Sequence, residues 1–339
     1  MARLPLVARL MLGPLALAAC SDGATPTQPE ADGDRSPSAE TLVVASNTWT
    51  PRAPMADPRS GSAVAAAQNA VGQWIVYVFG GADLEEGETG FGGVKYNVET
   101  NTWSSSGVSS FVDAAHMNGA ARLGNKLYFT GGESCCYFLT TFNKTWAYDL
   151  GTQRLIRKAN MPRATRWGVS GALNGRLYVL PGYCSGEATD LGHCQVGQPT
   201  RVLYRYDPST NTWSLRRSAP HFHTFGGAAV IDNKFYVVGG SAQGPYLDVY
   251  DPVTDTWQTR APIPTAGERL FAAPLLKKLF VLSWSHPNGS PVVLKAYLYD
   301  PATNRWTSRA APPGVAGPIV NVKGRLFMPG IASSYMYTP

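Results

Sequence analysis

One short apolar strand pattern recurs six times along this chain, and a fixed internal repeat leaves few architectures open. The copies are WIVYVFGG (74–81), KLYFTGG (126–132), RLYVLPG (176–182), KFYVVGG (234–240), KLFVLSW (278–284) and RLFMPG (325–330). Each is a buried strand closed by small residues, which free a sharp exit and let neighbouring backbones approach. Between copies runs a second pattern: YNVETNTW (96–103), YDLGTQRL (148–155), YDPSTNTW (206–213), YDPVTDTW (250–257) and YDPATNRW (299–306). It is turn chemistry, in which Asp caps the bend, Pro fixes φ and Thr bonds back to the backbone. The 9 tryptophans and 16 tyrosines suit strands, and a charged fraction of 15% argues against a long helical or coiled-coil chain.

The double glycine, the Tyr-Asp-Pro-x-Thr turn and the tryptophan, in register over residues 46–339, resemble the kelch repeat. The resemblance implies an all-β fold: a six-bladed β-propeller of four-stranded antiparallel blades over residues 42–339. The tryptophans are read as wedges between blades. Five complete second halves and six first halves leave one half missing, and an orphan Asn47-Thr48-Trp49 stands at the front of the chain. We therefore expect residues near 46–52 to supply the outermost strand of a blade whose other three strands are C-terminal, closing the ring and hiding sheet edges. Leu155 in place of Trp, and Ser283-Trp284 in place of a glycine pair, depart from the pattern.

Ahead of the repeats, Arg3 and Arg9 precede the apolar stretch 10–19, too short to span a bilayer and suited to a signal peptide over residues 1–19. It ends Leu17-Ala18-Ala19-Cys20, similar to a bacterial lipobox in which Cys20 carries the lipid; an ordinary secretory signal with a chance cysteine is the alternative. Ser21 after Cys20 resembles outer-membrane sorting in a host with two membranes. Residues 20–41 are polar and read as a disordered tether with a net charge of −4, against +8 for the body from Leu42 onward. A basic body favours anionic partners, and an exported lipoprotein excludes nucleic acid. A monomer touching membrane through its lipid alone is expected.

Cys135, Cys136, Cys184 and Cys194 follow small-pair positions and fall in loops of the second and third blades. In an oxidising compartment they are disulfide candidates, with three pairings open. Zinc held by Cys135, Cys136, Cys184 and His193 matches no standard spacing. No metal or other cofactor is expected.

Pacing ten residues back from the start of each second strand reaches His116, Arg166, Thr224 (beside His223), Glu268 and Val315, with Arg59 taken as the counterpart in the first blade. These are expected to ring one channel mouth, with His193, His221 and His286 in other loops of the same face. Arg59, His116, Arg166, Trp167, His221, His223, Glu268 and Arg269 make an anion-binding set, since the guanidinium fork suits carboxylates and Trp167 can stack on a sugar ring. The resemblance implies a module binding a protein or glycan ligand through its loop face. The alternative is an enzyme of the sialic-acid mutarotase or epimerase type, with Glu268 and Arg269 as acid/base and carboxylate pair. A copper oxidase of the galactose oxidase type is disfavoured, as no Tyr-His dipeptide occurs.

Overall fold

Six four-stranded antiparallel sheets, each built from one repeat, follow one another along the chain. The computed structural model describes residues 46–56, 59, 61–81, 92–109, 117–133, 141–185, 198–240, 244–286, 291–314, 316–330 and 332–339. Cys20, His116, Cys135, Cys136, His193, Cys194 and Val315 lie outside the described residues, and of Cys184 only its strand position is described. The innermost strand of each sheet lines a common channel, and the third ends in the buried tyrosine of the repeat. This is a six-bladed β-propeller.

The conserved-looking letters of the turn have separate mechanical jobs. The aspartates Asp149, Asp207, Asp251 and Asp300 each accept a backbone N–H two residues on with Oδ1. Their Oδ2 atoms pair with Lys126, Arg176, Lys234 and Lys278, which explains the basic start of those four second strands. The residue before each outer strand sits in the left-handed region, an asparagine in most blades (Asn101 φ 56, Asn211 φ 55, Asn304 φ 54) and Asp255 (φ 53) in the fourth, a conformation a short polar side chain tolerates. There its Oδ1 accepts from the repeat tyrosine (Tyr299 Oη to Asn304, 2.7 Å) and from a backbone N–H of the preceding blade's linker (Ala261 N, 3.0 Å). The tryptophan two residues on donates Nε1–H to that same linker residue, as Trp306 does to Ala261 O at 2.9 Å. Asparagine and tryptophan together clamp one blade to the last.

Closure of the ring reuses this clamp. Thr48–Arg52 pairs with Ser334–Thr338 as the outermost strand of the sixth blade, in the order Thr48–Arg52, Ser334–Thr338, Arg325–Met328, Val320–Val322. Asn47 accepts from Tyr337 Oη at 2.9 Å and from Ala310 N at 2.9 Å, and Trp49 Nε1 donates to Ala310 O at 2.8 Å. The second blade lacks the clamp. Gln153 and Leu155 replace Asn and Trp, and Tyr148 Oη donates instead straight to Ser106 O at 2.7 Å.

Around the channel the inner strands run AVAAA, GAARL, VSGAL, GAAVI, FAAPL and PIVNV. Small residues are needed because six strands converge there. A Cβ added at Gly227 would lie 2.7 Å from the Ala272 Cβ of the next blade.

Candidate functional site

One register position at the channel mouth, two residues before each of these inner-strand segments, decides what the mouth presents. It is Gly61 in the first blade, Met117 in the second, Trp167 in the third, Phe225 in the fourth, Arg269 in the fifth and Ala316 in the sixth, as the strand registers show. Half of the rim is small or buried, and the half from the third to the fifth blade is aromatic and cationic. At Gly61 the backbone is left-handed (φ 69), as glycine permits; Trp167 (φ 54) and Phe225 (φ 56) adopt the same conformation. For bulky side chains that costs about 1–2 kcal/mol each, a strain retained where a side chain must be aimed.

The aim is a ladder of cation–π and ring contacts. The Arg166 guanidinium lies 4.2 Å from the Trp167 ring, Trp167 stacks on Phe225 at 4.4 Å, and Arg269 lies 5.3 Å from Phe225 and 6.0 Å from Trp284. Tyr183 meets Trp167 edge-on at 5.7 Å. A two-stranded sheet not foreseen from the repeat, Ala164–Arg166 with Tyr183–Ser185, holds Arg166 and Tyr183 side by side and pairs Cys184 with Thr165. Arg166 is neutralised at its edge by an ion pair to the buried Glu133. The Arg269 side chain has no ion-pair or hydrogen-bond partner among the described residues. Below the ladder the channel encloses about 440 Å³.

The expected mouth residues divide. Arg166, Trp167 and Arg269 come together as above. Thr224 is buried and donates to Gly182 O at 3.3 Å. Glu268 is exposed, its carboxylate accepting the His286 backbone N–H at 2.9 Å, so Glu268 and Arg269 face different groups. Two residues do not offer themselves to a ligand as expected. Arg59 is 7% exposed and spends its Nη1 on Gly92 O (2.7 Å) and Gly80 O (3.4 Å); its register matches Thr165 and His223, one place before Arg166 and Thr224. His223 is 1% exposed because it is committed to a polar cluster in the fourth blade.

That cluster centres on Asp248. Its Oδ2 lies 2.9 Å from His223 Nε2 and 3.0 Å from His221 Nδ1, and its Oδ1 accepts from Thr259 Oγ1 at 2.7 Å. His221, partly exposed, stacks on Tyr246 at 3.6 Å. Burial pushes the Asp248 carboxyl upward, but the hydrogen bonds and charge from His223, with Thr259 and His221, outweigh it and hold the pKa below the ordinary carboxylate value. Sequence reasoning passed over Asp248. The available signal was a charge where the other third strands put Val94, Trp146, Tyr204, Tyr297 and Tyr335. Glu133, Phe225 and Trp284 were missed too, although Trp284 announces itself by standing where other blades keep a glycine.

The family model described as Kelch motif matches residues 169–218 and 224–264. Kelch-like protein 15 of Danio rerio and of Homo sapiens are each 27% identical over 210 residues, covering 57% of this chain and 32% of theirs. Kelch-like protein 23 of Pongo abelii is 26% identical over 213 residues, covering 62% of this chain and 35% of its own. The chain thus spans about a third of the length of these curated relatives. A solved structure titled "Structure of YjhT" superposes with a TM-score of 0.61 over 85% of this chain and 95% of that one, at 15% identity.

Proposed function

Since this chain is a kelch-repeat β-propeller, we propose that it works as a binding module whose protein partner docks on the loop face over the channel mouth. Kelch propellers are typically protein-binding modules. The observation that carries the reading is the ladder from Arg166 to Trp284, two of whose rings stand on strained backbone. Tryptophan and arginine in such an arrangement are the residue types that dominate binding energy at interfaces. We read the partner as anionic where it meets Arg269. Net charge does not support this, because Arg154, Arg157, Arg216, Arg260, Arg305 and Arg309 stand on outermost strands, where cations deter edge-to-edge pairing.

The test is capture of the partner from the native envelope on immobilised protein, followed by affinity measurement with that partner. Arg269→Ala and Trp167→Ala are each expected to weaken it by about tenfold or more with cooperative unfolding preserved. Equal affinity for both variants and the parent would place the interface elsewhere. We also propose that Cys20 carries lipid and anchors the propeller to a bacterial envelope through residues 20–41, at the outer membrane where the host has one. Cys20→Ala is expected to abolish labelling by radioactive palmitate and release the protein to the soluble fraction; continued labelling refutes the anchor.

A further inference from the structure

We infer that the channel itself is a binding site for a small carboxylic acid with an apolar body, its carboxylate on Arg269 and its body between the inner strands. The inference goes beyond the docking of a protein on the loop face and shares with it the mouth residues Arg269, Trp167 and Phe225.

The protein contains its own precedent for the charged end. Arg166 and Arg269 both lie over aromatic rings at the mouth, within cation–π reach. Ring contact leaves N–H donors free at the edge of the guanidinium, the geometry that suits a carboxylate fork. At Arg166 that edge holds the carboxylate of Glu133. At Arg269 the rings are in place and no carboxylate from the described residues fills the edge, since neighbouring Glu268 accepts from the His286 backbone. One of these arginines is satisfied from within and the other is presented to the channel, whose lining it joins.

The channel supplies the apolar end. Along the inner strands alternate residues are fully buried between blades, and those between them, such as Val64, Ala66, Ala172, Ala228, Val230 and Ala272, pack on the other neighbouring blade and stay half-exposed to the channel they line. Walls of methyl groups offer water few partners, and a volume of about 440 Å³ lies in the range of small-molecule sites. Trp167 and Phe225 roof one side, on the two bulky left-handed residues at the mouth. The channel's far end carries another cation, Arg122, whose Nε donates to Gly124 O at 3.1 Å beside the strand turn. An unpaired guanidinium at an apolar shaft selects an amphipathic monoanion over a neutral or a purely polar molecule.

The probe is phenylbutyrate, titrated against the full chain by tryptophan fluorescence, with phenylbutyramide and acetate as the uncharged and tail-less controls. Saturable binding is expected, with both controls at least about tenfold weaker. Arg269→Gln and Ala228→Leu are each expected to weaken binding by about tenfold or more, and Arg122→Gln to leave it unchanged. Should Ala228→Leu fail to fold, Ala66→Leu blocks the opposite wall. No saturation, equal binding of the amide, or indifference to the wall variants overturns the site; loss at Arg122 rather than Arg269 overturns the assigned orientation. Ala228→Leu should leave protein capture intact, so failure of the docking reading and failure of the channel site register separately.

Discussion

Deleting residues through Arg52 is expected to abolish cooperative unfolding, while a chain beginning at Leu42 melts with the parent. The deleted strand is the outer wall of the sixth blade, and with it go five residue pairings to Ser334–Thr338. Trp49 also packs on Phe280 at 6.2 Å and Tyr337 at 5.1 Å, and the Asn47 and Trp49 bonds to Ala310 join the fifth and sixth blades. Trp49→Ala alone should cost roughly 3–5 kcal/mol, a large share of the 5–15 kcal/mol that holds a typical domain. Removing the strand adds an unpaired edge along Ser334–Thr338, an invitation to association. Calorimetry on the two truncations and on Trp49→Ala decides it, and a parent-like transition in the chain lacking residues 1–52 would mean that closure is not what holds the ring.

Asp248→Ala is expected to destabilise the propeller by about 3–5 kcal/mol, because it strands the buried His223 without its carboxylate. Thr259→Val, which removes one hydroxyl donor to the same carboxylate, should cost about 1 kcal/mol. The isosteric Asp248→Asn exposes the pH dependence. The folded-state pKa of Asp248 is depressed, so folding favours its ionised form. Its contribution is full above the unfolded-state value of about 4 and is lost as pH falls through the lower folded-state value. The stability gap between parent and Asp248→Asn should therefore be widest near neutrality and shrink below about pH 4. Denaturant titrations of both proteins at several pH values measure it; a gap that is constant, or that widens in acid, removes Asp248 from its assigned role.

Much of this molecule is legible in its sequence because the repeat exposes local chemistry. The aspartate, asparagine and tryptophan of the turn act within a few residues or on the adjacent linker, so their spacing carries the information, and the orphan Asn47-Thr48-Trp49 reported the closure of the ring by subtraction alone. Leu155 was visible as a departure, but its consequence was not, because the replacing bond from Tyr148 to Ser106 joins residues 42 apart. At the mouth, even pacing found Arg166, Thr224 and Glu268, yet misjudged Arg59, since the first blade's hairpin is longer and shifts its register.

What the sequence determined by itself is the architecture: a six-fold pattern of buried strands, turn caps and wedges has one economical closed solution. What only the tertiary structure decided is the character of the mouth. Which of Arg166 and Arg269 is already neutralised depends on Glu133 arriving from the preceding blade, and whether His223 is a surface group or a buried one depends on Asp248 rising from a third strand. Charges and rings acquire their chemistry from neighbours brought across the fold, and no spacing along a single chain records those distances.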